Sequence, residues 1–106
     1  MLRIYDDGLR VLRMLRPIVS EIGRHDSDLA RQLRRCSASM VLNTAEGSYA
    51  RGGNRKVLFG VALGSTKETR ACLDIAEALG YLDAIDDEIA ACLEKIGGAL
   101  YRLTHD

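Results

Sequence analysis

Four polar side chains stand where a packed helix would place apolar ones. Asn43 and Glu46 close one apolar stripe, in Asn43-Thr44-Ala45-Glu46-Gly47, and Ser65 and Glu68 interrupt a second, in Leu63-Gly64-Ser65-Thr66-Lys67-Glu68. Polar groups at core-facing positions cost free energy unless they are paired. The set therefore reads as a buried hydrogen-bond network, a binding site or an oligomer contact. As chemistry, Glu46 and Glu68 offer paired carboxylates for acid–base work, but no nucleophile–base pair accompanies them. His25 falls in a connection and His105 close to the chain end. A di-iron bundle needs Glu-x-x-His on two helices, which this chain lacks, and Cys36, Cys72 and Cys92 have no metal-ligand spacing. The favoured expectation is a structural network of Asn43, Glu46, Ser65 and Glu68 that fixes helix register, with no catalytic residue, no metal and no cofactor. A small-ligand site in the same patch is the alternative.

A second constellation is basic: Arg10, Arg13, Arg16, Arg31, Arg34, Arg35, Arg51, Arg55 and Lys56. Arginine suits phosphate because its planar fork donates two parallel hydrogen bonds. The densest run, Arg51-Gly52-Gly53-Asn54-Arg55-Lys56, also offers free backbone donors. No aromatic stacking platform accompanies it, which argues against base-specific readout. The net charge is formally zero, yet residues 1–56 carry +5 and residues 57–106 carry −5. Complementary helix surfaces explain that split; so does a basic face for nucleic acid.

Helices must position these groups. Ile4, Gly8, Val11, Leu15, Ile18 and Ile22 recur at alternating spacings of four and three, the seam of a bundle helix over roughly residues 3 to 24. Pro17 sits inside it and should bend it. Gly23 to Ser27 connects to a second helix capped by Asp26 or Ser27, with the seam Leu29, Leu33, Cys36, Met40, Asn43 and Gly47. Gly52-Gly53 breaks the chain, and Asn54 is the expected cap of a third helix with the seam Leu58, Ala62, Ser65, Thr69, Cys72, Ala76 and Leu79. Gly80 should end it. Asp83 is the expected cap of a fourth helix bearing Ile85, Ile89, Leu93, Ile96, Leu100 and Leu103, with Asp86 at the capping-box position.

Short connections between four such helices predict an all-α antiparallel up-down four-helix bundle, one domain over residues 1–106. No run approaches the ~20 apolar residues needed to span a bilayer. The first residues lack an apolar signal-peptide core, and the odd set of three cysteines suits reduced thiols, so a cytoplasmic location is expected. Leu9, Leu12, Val57, Val61 and Leu73 lie outside the main seams and are the candidate subunit contacts.

The run Arg34-Arg35-Cys36-Ser37-Ala38-Ser39-Met40-Val41-Leu42-Asn43-Thr44-Ala45-Glu46-Gly47 resembles the second-helix signature of a bacterial bundle family that includes proteins encoded in intervening sequences of 23S rRNA genes. Leu63 to Glu68, followed by Gly80-Tyr81-Leu82, is similar to that family's second signature. The resemblance implies a left-handed bundle that assembles as a ring-like homopentamer. A distant branch serves diversity-generating retroelements, where it binds nucleic acid beside a reverse transcriptase. Thr44 departs from the branched apolar residue usual there, and the neutral charge departs from that basic branch. The expectation is thus a non-enzymatic homo-oligomeric scaffold whose partner is RNA or a nucleic-acid-handling protein such as a reverse transcriptase. The alternative is a protein-binding regulatory module without nucleic-acid affinity.

Overall fold

A computed structural model describes residues 2–105. Four helices follow one another: α1 Arg3–Gly23, α2 Ser27–Tyr49, α3 Gly53–Ala78 and α4 Asp87–His105. Each packs on its neighbours in the ring α1–α2–α3–α4–α1, with α2 against α3 the most extensive pairing. This is the up-down four-helix bundle expected from the short connections. It is 43 Å long, and α1 runs unbroken through Pro17.

The helix ends explain the path of the chain. Asp26 caps α2, its Oδ1 accepting from Leu29 N–H at 3.0 Å. Its Oδ2 accepts from Tyr81 O–H at 3.3 Å, and the Tyr81 ring stacks on His25. The α1–α2 and α3–α4 connections are thereby tied together at one end of the bundle. Gly80, at φ 80°, ends α3: its N–H donates to Glu77 O, and Tyr81 N–H donates to Ala76 O at 2.8 Å. That pair of bonds is the Schellman arrangement, which needs a left-handed residue at this position. Two expected caps are displaced. Asn54 lies inside α3, which starts after Gly52 at φ 63° with no side-chain cap. Asp86, not Asp83, caps α4, its Oδ1 accepting from Glu88 and Ile89 N–H.

The core follows the expected seams with a shift caused by double-sided burial. Helices α2 and α3 each face two neighbours, so a broader arc is covered than one stripe. On α2 the buried set is Ala30, Leu33, Cys36, Ser37, Met40, Val41, Thr44 and Gly47. Leu29 and Asn43 move to its half-buried edges. On α3, Phe59 replaces Leu58 as the anchor, Leu79 is exposed, and Leu73 is buried. Leu73 is thus a core residue and not a subunit contact.

Two glycines let helices approach. A Cβ at Gly47 would sit 2.6 Å from the Phe59 ring, and one at Gly8 would sit 2.9 Å from Val41 Cγ2. Phe59 is fully buried and occupies the space that Gly47 leaves. The Arg55 guanidinium lies 4.9 Å over the other side of that ring. A glycine inside a helix costs about 1 kcal/mol relative to alanine, so Gly47→Ala would stabilise if propensity decided. Overpacking against Phe59 decides instead: Gly47→Ala should destabilise by about 1–3 kcal/mol in chemical denaturation. Gly97→Ala, whose Cβ meets nothing closer than 3.9 Å, should stabilise by a few tenths to ~1 kcal/mol.

Candidate functional site

The polar residues of the central seam are satisfied mainly by their own helices. Thr44 Oγ1 donates to Met40 O at 2.7 Å, Thr66 Oγ1 to Ala62 O at 2.8 Å, and Thr69 Oγ1 to Ser65 O at 2.8 Å. Ser37 Oγ donates to Leu33 O at 2.7 Å. Each hydroxyl bonds back one turn, so burial leaves no orphan donor. Hydroxyl side chains therefore stand in a helix–helix contact at small volume and little polar cost.

Between α2 and α3, polar contacts cross at several levels, with Arg55 reaching the Gly47 and Ser48 carbonyls at the turn end. Ser39 and Ser65 hydroxyls meet at 2.8 Å, and Asn43 Nδ2 donates to Ser39 Oγ at 3.1 Å and Ser39 O at 3.0 Å. Gln32 Nε2 donates to Glu68 Oε2 at 2.9 Å. Thr69 Oγ1 also reaches Cys36 Sγ at 3.4 Å. Of the four residues expected to form one network, Asn43 and Ser65 are joined, but through Ser39. Glu68 belongs to a separate, exposed pair with Gln32. Glu46 is exposed and has no side-chain hydrogen bond among the described residues. Ser39 was missed because it lies one step outside the seam spacing; only the pairing of α2 with α3 reveals it.

The same register separates the two carboxylates. Glu46 lies at the Gly47–Phe59 level, and Glu68 lies near Cys36 and Gln32, about three helical turns away. They do not form a carboxylate pair. The patch also fails to enclose a ligand: a polar groove of about 270 Å³ holds Ser65 and Glu68 with Gln32, Arg35, Cys36 and Ser39, but neither Asn43 nor Glu46.

The basic residues do not form one face. Arg10 pairs with Glu88 and Arg31 with Asp28. Arg55 is spent on the fold, donating to Gly47 O at 3.3 Å and Ser48 O at 3.5 Å while covering Phe59. Arg13, Arg16, Arg34, Arg35, Arg51 and Lys56 are exposed and make no ion pair among the described residues. Arg16 and Arg34 rim a groove between α1 and α2, about 750 Å³ in volume, whose apolar floor includes Leu12, Val19 and Ala30.

The antiparallel path puts Arg3, Arg51, Lys56 and Arg102 at the end that carries the α2–α3 turn, together with Asp6, Asp7 and Glu46. Asp26, Asp28, Glu77, Asp83, Asp86 and Asp87 lie toward the opposite end, together with Arg24 and Arg31.

Such a chain, with polar groups at its α2–α3 seam, is an all-α four-helix bundle protein. Its membership is specific: the chain belongs to the 23S rRNA-intervening sequence protein family, whose model matches residues 2–102. A solved structure from Bacteroides thetaiotaomicron, a protein with unknown function from the S23 ribosomal protein family, shares the fold with a TM-score of 0.82. It is 15% identical, and the match covers 97% of this chain and 99% of that one. No curated protein matches the chain. No described helix is long and apolar enough to cross a membrane, and among the described residues no three His, Cys, Asp or Glu side chains group as a metal set.

Stability measurements separate the roles. Ser39→Ala and Ser65→Ala should each cost about 1 kcal/mol, and the double variant less than the sum. Glu46→Gln should change the denaturation midpoint by no more than about 0.5 kcal/mol. Burial, with Cys36 adjacent, pushes the Cys72 thiol from 9.0 up to about 12. The native state therefore holds this proton more tightly than the unfolded chain does. The associated stability is complete below pH 9.0 and is lost as pH rises toward about 12. Titrating thermal stability across that window should show a decline that Cys72→Ser lessens.

Proposed function

We propose that the protein is a non-enzymatic, ring-forming homo-oligomeric scaffold that presents a basic rim to RNA. The observation that carries the reading is a second apolar seam on α3, facing away from the core. Val57, Val61, Ile75 and Leu79 are exposed by 64%, 46%, 47% and 57%. Val57 and Ile75, like Val61 and Leu79, are separated by 18 residues, five full helical turns, so all four share one face. Gly64, Glu68 and Ala71 lie between them on the same face, so one exposed carboxylate interrupts the seam, and Leu42 and Tyr49 of α2 add exposed apolar surface toward the turn end. A helix with apolar seams on two sides is suited to a second neighbour.

The α1–α2 groove is the matching receptor on a second copy. Its apolar floor accepts a ridge of this kind, and Arg16 and Arg34 on its rim complement Glu68, which stands on the ridge face of α3. Ridge and groove are different surfaces of one chain, so the contact is heterologous and generates a ring when its rotation closes. The family resemblance puts the subunit number at five. Every copy in such a ring points its α2–α3 turn the same way. Arg51, Lys56, Arg3 and Arg102, with the uncapped first turn of α3, then form one basic rim for phosphate.

Light scattering at micromolar concentration should give a multiple of the 11.7 kDa chain. Val61→Glu with Ile75→Glu should give monomers with unchanged helical circular dichroism. A wild-type monomer would reject the ring. RNA affinity should fall steeply with salt, and Arg51→Ala with Lys56→Ala should reduce the salt slope by about one per lost phosphate contact. An intact oligomer with no RNA affinity at low salt would assign the scaffold to a protein partner, such as a nucleic-acid-handling enzyme.

A further inference from the structure

We propose that Cys36 and Cys72 form a peroxide-responsive dithiol whose oxidised state is a disulfide joining α2 to α3. The two sulfurs lie 4.0 Å apart on facing helices, within the most extensive helix pairing of the bundle. A side-chain rotation and a small helix adjustment bring them to bonding distance, because serine, threonine and alanine side chains already hold these helices close. Around Cys36 the Thr69 hydroxyl reaches its sulfur, and its thiol reaches the Leu33 carbonyl. The Cys92 thiol donates instead to Asp7 O on α1.

The two thiols are not equivalent. Cys36 lines the 270 Å³ polar groove with Arg35, Gln32, Ser39, Ser65 and Glu68, whereas Cys72 lies behind it. Burial holds the Cys72 thiol up at about 12, so Cys72 keeps its proton and Cys36 meets the oxidant. The groove has room for a small hydroperoxide. The Cys36 sulfur attacks one peroxide oxygen, the O–O bond breaks, and the departing hydroxide takes the thiol's own proton to leave as water. Sulfur is thereby oxidised to a sulfenic acid. The Cys72 sulfur then attacks the Cys36 sulfur, its proton passing to the sulfenic oxygen, which leaves as a second water as the S–S bond forms. One peroxide is reduced for two thiols oxidised. The bond closes a loop through the α2–α3 turn and so constrains the unfolded chain.

The test uses the full chain and hydrogen peroxide. Free thiols counted after denaturation should fall from three to one, and a tryptic digest should contain a Cys36–Cys72 linked peptide that dithiothreitol releases. The melting temperature of the oxidised protein should rise by on the order of 10 °C. Cys36→Ser should leave Cys72 reduced, and Cys92→Ser should leave the cross-link intact. The proposal is overturned if Cys36 proceeds to sulfinic acid without cross-linking. It is equally overturned if the linkage engages Cys92 or a second chain, or if peroxide that oxidises the unfolded chain leaves all three thiols of the native one free.

Discussion

The close approach of α2 to α3 is the constraint on which the rest of this bundle depends. Two devices make it possible. Gly47 leaves the space that the Phe59 ring fills, and hydroxyl side chains replace larger apolar ones along the seam. A hydroxyl in such a contact would ordinarily cost an unpaired donor. Here Thr44 and Thr69 bond the carbonyl one turn back, as do Ser37 on the α1 side and Thr66 on the α4 side. The cost is met inside each helix, and the interface gains proximity without needing a continuous polar network. Ser39–Ser65, Gln32–Glu68 and Thr69–Cys36 carry polar information across its middle, and Arg55 does so at the turn end.

This economy leaves α3 apolar on two sides. Its inner arc completes the core with Phe59, Ala62, Leu73 and Ala76, while its outer face shows Val57, Val61, Ile75 and Leu79. The fold thus has a stable interior that does not use all the apolar surface available, and the surplus lies along one line. Arg55 shows the opposite allocation. A cation from the most basic loop is drawn inward to close the C-terminal carbonyls of α2 and cover Phe59. What remains for an external phosphate at that end is Arg51 and Lys56 with Arg3 and Arg102.

The parts of the molecule that a linear pattern can encode were readable from residues alone. The alternating four–three spacing of Ile4 through Ile22, and of Leu33, Cys36 and Met40, repeats with the helical period and so declares both helix and buried face. Gly80 announced the end of α3 because only a left-handed residue closes that turn. The expected single network was not readable, since Asn43, Glu46, Ser65 and Glu68 share faces only within their own helices. Whether residues on two helices meet depends on axial register and rotation, which spacing along one chain does not specify. Ser39 entered and Glu46 left for that reason, and Asp86 displaced Asp83 because the α3–α4 connection is longer than the apolar pattern suggested.

By itself the sequence determined four amphipathic helices, their order, the breaks at Gly52-Gly53 and Gly80, and the family to which they belong, because these follow from local periodicity and motif order. Tertiary structure alone decided which polar groups pair across α2 and α3, that Cys36 and Cys72 face each other, and that Leu73 points inward. The reason is common to all of these: each is a relation between elements distant in sequence, and antiparallel packing is what gives them a shared level and a shared face.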